Sequence, residues 1–281
     1  MPTIVDVHAE TEKLLTLHGV TPQATPPRPR GGMARLGSYR SGLLLLGTST
    51  GTGRGHWEIH PEDELIHILG GTRTLEIVCD DGPPKTFELS AGMIAVVPQE
   101  AWHRFHSLGF GLALSAVIPG PHVELDVPDP RPHAPPSSGE RRFASRPPSI
   151  VDVTAELAKL TMFRGRTPRS TAADRKDSSA RLAAYRDGAA SLTKFAGKGH
   201  WESHSADELI HVLDGTATLE MVVDDRPQSF ALHADMIVVN PQGTWHRFSS
   251  VDGVALLSVT PSPSKVIDLD IDDPRQAGRT P

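Results

Sequence analysis

The sequence predicts an all-β chain that carries one small antiparallel barrel twice. Three observations predict it. Long blocks recur in the same order in both halves: IVDVHAETEKL from Ile4 returns as IVDVTAELAKL from Ile150. GHWEIHPEDELIHILGGTRTLEIV from Gly55 returns as GHWESHSADELIHVLDGTATLEMV from Gly199. Such self-similarity fixes the architecture before any local pattern is read. Short runs rich in Val, Ile, Leu and Thr then end at Gly, Pro or Asp, as in antiparallel barrels and sandwiches. Finally, 25 Gly and 25 Pro in 281 residues suit tight turns better than long helices.

The elements follow in chain order. DVHAETEKLLTLHG is the helical candidate, with Asp6 near its start and Gly19 after its last apolar residues. A short helix of this kind opens each repeat. RLGSYRSG from Arg35 matches RLAAYRDG from Arg181. ELIHILGG, TRTLEIVCD, KTFELSAG, MIAVVP and LALSAVIPG read as successive strands. Cys79 corresponds to Val223, so it is expected as a small buried apolar residue. MIAVVPQEAWHRFHS from Met93 matches MIVVNPQGTWHRFSS from Met236, and DPR closes each half at Asp129 and Asp273. The predicted domains are 1–131 and 150–281. Residues 132–149, rich in Pro, Ser and Arg, form a surface linker. Each unit is long enough to bury its own core.

Composition removes several classes of function. The 28 Lys and Arg against 34 Asp and Glu give a net charge of −6, without the basic stripe a nucleic-acid binder needs. One cysteine rules out an internal disulfide and a Cys-rich metal knuckle. The opening MPTIVDVHAETEK has no apolar signal-type core, and the longest apolar stretch, Leu43–Leu46, is too short to span a bilayer. The expectation is a cytoplasmic protein with a small-molecule partner and neither nucleic acid nor membrane. Homodimer formation is allowed by the sequence but not read from it.

The 14 His need a reason. Six polar residues fall into two equivalent sets: His60, Glu64 and His103, then His204, Glu208 and His246. Side chains alternate faces along a strand, so Glu58 and His60 share a face. Pro61, Glu62 and Asp63 can turn the chain, and Glu64 then opens the next strand. If those strands pair as a hairpin, His60 and Glu64 meet at its end, and His103 arrives from a third strand after a Pro-containing turn. Two imidazoles and one carboxylate with open positions suit Fe(II) and its oxygen chemistry, with Mn(II), Ni(II) or Zn(II) also able to occupy them.

These residues resemble the two motifs of the cupin superfamily, G(X)5HXH(X)3,4E(X)6G and G(X)5PXG(X)2H(X)3N. The resemblance covers the central half of each unit and, being doubled, implies a bicupin. It implies two jelly-roll barrels related by pseudo-twofold symmetry, with metal ligands at His60, Glu64, His103, His204, Glu208 and His246. The chain departs from the pattern at several positions. Glu58 and Glu202 replace the first His, Ser107 and Ser250 the last Asn, Glu100 the Gly after Pro in copy one, and Asp235 the first Gly of the second motif in copy two.

Glu58 and Glu202 are read as a general base beside the open site, a fourth ligand, or ion-pair partners of Arg40, Arg186, Arg104 or Arg247. His67 and His211 alternate away from the ligand Glu, and His56 and His200 are placed at the rim. Trp57, Trp102, Trp201 and Trp245 are expected to fill core space, and Arg104 and Arg247 to make surface ion pairs. The resulting expectation is a metal-dependent dioxygenase acting on a small organic substrate. Its alternatives are a non-redox isomerase, lyase or cyclase, and a non-enzymatic ligand-binding barrel.

Overall fold

A computed structural model describes residues 1–18, 30–79, 82–119, 122–123, 127–133 and 146–277. Two compact units emerge, one of Ala9–Asp152 and one of Met1–His8 with Val153–Pro281. Each holds a ten-stranded sheet among the described residues. Gly19 and most of the 132–149 linker lie outside those residues.

In the first unit the sheet is organised around one long strand, His103–Val117. Gly42–Thr50, Thr52–Arg54 and Trp57–Glu58 pair with it successively, and Glu64–Ile77 runs along its other side, all antiparallel. Met93–Val97 lies beyond Glu64–Ile77. The second unit repeats this around His246–Pro261, flanked by Gly188–Lys198, Trp201–His204 and Glu208–Val223. Alternation along these strands sends Ile66, Ile68, Leu75 and Ile77 to one core, and Ile210, Val212, Leu219 and Met221 to the other.

The helix predicted from Asp6 to Gly19 is observed as Val7–His18, and its counterpart is the shorter Val153–Ala158. Elsewhere the structure differs from expectation. ELIHILGG and TRTLEIVCD are one bent strand, Glu64–Ile77, whose register shifts on both sides of Gly70–Gly71. Gly71 has φ +70°, and a Cβ there would lie 1.9 Å from the Phe110 carbonyl oxygen. The pair of glycines therefore bends the strand without ending it. Cys79 is only half buried, at the margin of the first core. Glu100 and Asp235, which stand in glycine positions of the motifs, take positive φ values of 59° and 67°. The backbone keeps the turn that the motif demands, at a cost that L-residues normally avoid.

The leading strands are exchanged. Ser149–Asp152, the start of the second repeat, pairs with Met93–Val97 of the first unit. Thr3–Asp6, the start of the first repeat, pairs with Met236–Asn240 of the second. The unit boundaries therefore differ from a division at 1–131 and 150–281. The physical reason is that Met93–Val97 and Met236–Asn240 each leave a ladder to fill, and the leading strand of the other repeat fills it.

Arg104 and Arg247 are not surface residues. Each is fully buried on the face opposite the His beside it. Arg247 grips Glu220 with two donors, Nε to Oε2 at 2.7 Å and Nη2 to Oε1 at 2.9 Å. Its Cζ lies 4.4 Å from the Trp201 ring centroid, and Nη1 donates to the Ile271 carbonyl at 2.9 Å. Trp201 Nε1 donates to the same carbonyl. Arg104, Glu76, Trp57 and the Val127 carbonyl form the same clasp in the first unit. The closing DPR of each repeat follows this tail, with Asp129 and Asp273 each bridging the Arg two residues on. Trp57, Trp102 and Trp201 are buried as expected, whereas Trp245 is half buried.

No helix among the described residues is long and apolar enough to cross a membrane. Removing one member of a buried ion pair strands its partner, so Arg247→Ala is expected to cost about 3–5 kcal/mol. Urea unfolding followed by tryptophan fluorescence measures it. Lys13→Ala, which breaks an exposed pair with Glu10, is expected to stay within about 0.5 kcal/mol.

Candidate metal centres

The six predicted ligands do converge, three in each barrel, but not through a hairpin. Trp57–Glu58 and Glu64–Ile77 both pair with His103–Val117 rather than with one another. Glu58 sits opposite His103 in the ladder, and Glu202 sits opposite His246. The long central strand delivers the last His between its two neighbours. The short bridge of residues 61–63 then brings His60 round to Glu64.

In the first barrel, Glu64 Oε2 lies 3.0 Å from His103 Nε2 and 3.6 Å from His60 Nε2. Ser115 donates its hydroxyl to the other oxygen of Glu64. Glu58 enters the same cluster, with Oε1 3.6 Å from His103 Nε2 and Oε2 3.8 Å from His60 Nε2. One donor atom from each of Glu58, His60, Glu64 and His103 lies within 4.8 Å of every other.

In the second barrel, Glu208 Oε2 lies 2.9 Å from His246 Nε2, and Oε1 lies 3.5 Å from His204 Nε2. Asn240 Nδ2 and Thr260 Oγ1 donate to the two oxygens of Glu208 at 2.9 and 2.7 Å. Glu202, His204 and His246 form the tight donor group there. Glu208 touches both imidazoles but stands outside that group.

The imidazoles are oriented from behind. His103 Nδ1 donates to the Ala101 carbonyl at 2.9 Å, and His246 Nδ1 to the Thr244 carbonyl at 3.0 Å. His204 Nδ1 is 2.9 Å from Ser264 Oγ. Those partners direct the Nε2 atoms to the carboxylates, the arrangement that metal-binding histidines need. His204 Nε2 is buried with no hydrogen-bond partner. A buried nitrogen that faces carboxylate oxygens at 3.5 and 3.9 Å, too long for a good hydrogen bond, fits a cation between them.

The electrostatics agree with the geometry. Burial alone would raise the Glu64 carboxyl, but the hydrogen bond and charge of His103, with His60 and Ser115, hold it below the ordinary carboxylate range. Glu208 is held down the same way against burial by His204 and His246. Burial would lower His103 and His246, yet Glu64 and Glu208, helped by Glu58 and Glu202, raise both above the ordinary imidazole value. Without metal, each cluster therefore traps a proton where a cation fits.

The neighbouring histidines divide. His67 and His211 are buried on the opposite strand face, and burial pulls His211 down to about 4 against the opposing Asp235 charge. His56 is exposed, while His200 Nε2 lies 3.6 Å from Glu202 Oε2. Of the four arginines considered as partners for Glu58 and Glu202, Arg104 and Arg247 hold Glu76 and Glu220 instead. Sequence reading missed Ser115, Asn240 and Thr260, which support the ligand carboxylates. Asn240 and Thr260 stand where the first repeat has Val97 and Val117, so comparing repeats was the available signal.

Small antiparallel barrels, each with a buried His and Glu cluster, define a class of fold, the jelly-roll barrel. The comparisons agree. The cupin domain model matches residues 47–116 and 192–260, and the chain belongs to the cupin superfamily as a tandem bicupin. A mutant of Bacillus subtilis oxalate decarboxylase superposes with a TM-score of 0.53 at 12% identity, covering 92% of this chain and 85% of that one. A second structure of that enzyme, from a study of its Mn(II) centres, gives 0.52 at 12% identity over 84% and 74%. At such identity the likeness is one of fold. No curated protein matches the sequence.

The trapped protons predict a pH signature. A raised His pKa stabilises the metal-free fold fully below about 6.5, and that contribution is lost as pH rises through the raised value. Metal binding displaces those protons, so the melting-temperature gain on adding Mn(II) is expected to grow from about pH 6 to about pH 8. Differential scanning calorimetry at matched ionic strength measures it.

Proposed function

We propose that this bicupin is a metal-dependent enzyme acting on a small organic substrate, with a divalent ion held by His60, Glu64 and His103 and another by His204, Glu208 and His246. The observation that supports it is the convergence of buried imidazole Nε2 atoms on carboxylates, each set braced from behind by a carbonyl or hydroxyl. Within that reading we favour a dioxygenase using Fe(II), because two imidazoles and a carboxylate leave positions open for two further molecules. When bound, such an ion supplies Lewis acidity and, for iron, access to oxygen chemistry.

The chain's own residues do the rest. Ser115, and Asn240 with Thr260, hold the ligand carboxylates so that one oxygen faces the imidazoles. Glu58 and Glu202, the remaining acidic groups beside the donors, are less buried and line the approach. As a fourth donor such a carboxylate lowers the charge left on the ion; as a base it moves a proton to or from bound substrate.

A second reading is a non-redox lyase, isomerase or cyclase. It is favoured by Glu202, which borders both a cavity and the donor group and so offers a proton-moving carboxylate in contact with a substrate's space. Oxalate decarboxylase with Mn(II) centres is a fold neighbour of that chemical kind.

Anaerobic loading with Fe(II) or Mn(II), metal analysis, and oxygen uptake over a panel of small organic acids separate the two. Metal content near one ion per barrel with substrate-dependent oxygen uptake is the expected outcome. Substrate turnover without oxygen uptake selects the second reading, and retention below about a tenth of an equivalent removes both. The double variant of His60→Ala and His204→Ala is expected to lose metal and at least about 100-fold in activity, since even outer-shell losses reach that size.

A further inference from the structure

The repeats match without a gap from Ile4 to Arg35 and from Ile150 to Arg181, yet they diverge after the helix. The second repeat reads FRGRTPRSTAADRKD from Phe163, where the first reads LHGVTPQATPPRPRG from Leu17. Arg166 thus stands at the position of Val20, and Arg175 at the position of Pro29.

Phe163–Arg166 joins the second sheet in a parallel pairing with Gly188–Lys198, with Arg166 opposite Gly197. Gly197 has φ +119°, and a Cβ there would lie 2.3 Å from the Arg166 carbonyl oxygen. The glycine lets the Arg166 backbone settle onto the barrel wall. The guanidinium then stacks on Phe195, with Cζ 4.3 Å from the ring centroid. It lines a cavity of about 170 Å³ whose wall also includes Arg175, His200, Glu202 and Glu208.

No carboxylate among the described residues forms an ion pair with Arg166. Burial pulls it down to about 10, Arg175 adds to the effect, and Glu202 opposes it. It remains charged at neutral pH. Glu202 and Glu208 line the same cavity, but their carboxylates face His204 and His246 rather than pairing with Arg166, so a bound anion would be its first close counter-charge. A guanidinium stacked on a ring presents its N–H edge, which matches a planar carboxylate.

We propose that Arg166, with Arg175, seats the carboxylate of a small organic acid in the second barrel, placing the rest of that molecule toward Glu202, His204 and His246. The space holds several waters, enough for a small organic acid. The first repeat has Val20 and Pro29 at these sequence positions, so one such seat per chain is expected. The purpose of this seat rests on the metal-enzyme reading, but its anion chemistry does not.

The full chain, metal-loaded and metal-free, is titrated with acetate, glycolate and malonate, with acetamide and inorganic phosphate as contrasts. Calorimetry gives affinity and stoichiometry, and amide chemical shifts give location. One carboxylate per chain is expected, with shifts around Arg166 and no acetamide binding. Arg166→Gln is expected to weaken it at least about tenfold with metal content unchanged, and Arg166→Lys to recover part of the loss. Arg164→Gln, on the exposed side of the same strand, is expected to change nothing. Undiminished binding in Arg166→Gln, two equal sites per chain, or phosphate binding alone overturns the proposal; if Arg166→Gln folds poorly, full affinity in Arg166→Lys, which lacks the planar fork, overturns it instead. Carboxylate binding that depends on Arg166 in a chain that takes up no metal even on loading would instead overturn the metal reading and keep the seat.

Discussion

Each barrel buries a carboxylate with imidazole nitrogens for neighbours, and much of the structure answers to that. Glu64 and Glu208 are 5% and 2% exposed, too deep for water to solvate a charge. Each accepts hydroxyl or amide donors on one side and faces Nε2 atoms on the other. The imidazoles must then be turned so that Nε2 points inward, which requires the Ala101 and Thr244 carbonyls behind them. Those carbonyls belong to the turns after Pro98 and Pro241, where Glu100 and Gly243 take positive φ. A left-handed turn thus orients a ring two or three residues away, and the ring sets the charge of the site.

The two barrels solve this problem with different residues. Ser115 supports the carboxylate in one, Asn240 and Thr260 in the other. Arg73 extends inward in the first barrel and donates to the Gly47 and Gly111 carbonyls, where the second has Ala217. Arg166 has its counterpart in Val20. Near-identical motifs on the central strands therefore sit among unlike walls. The His and Glu clusters are the repeated part of this protein, and the spaces beside them are not.

Much of this was legible in the sequence because it depends on periodicity and repetition. Two barrels, a leading helix in each, and the grouping of His60, Glu64 and His103 all follow from alternation and from a pattern that occurs twice. What was not legible depends on which segment covers a strand's other face. Alternation places Arg104 away from His103, but only the returning tail at Val127, with its carbonyl aimed at the guanidinium, makes that face an interior. Likewise, spacing suggested that His60 and Glu64 met across a hairpin, whereas a third strand runs between their strands. Pairing partners distant in sequence leave no local trace. Arg166 carried a signal only as a difference between the repeats.

The exchanged leading strands bear on the history of the chain. Thr3–Asp6 completes an edge built from residues after 236, and Ser149–Asp152 completes one built from residues before 98. A break anywhere in the linker yields two halves, each holding a strand that belongs in the other's sheet and each lacking its own. The duplication is for that reason hard to reverse: neither copy can be lost, or drift into independence, without first taking back the segment it has lent.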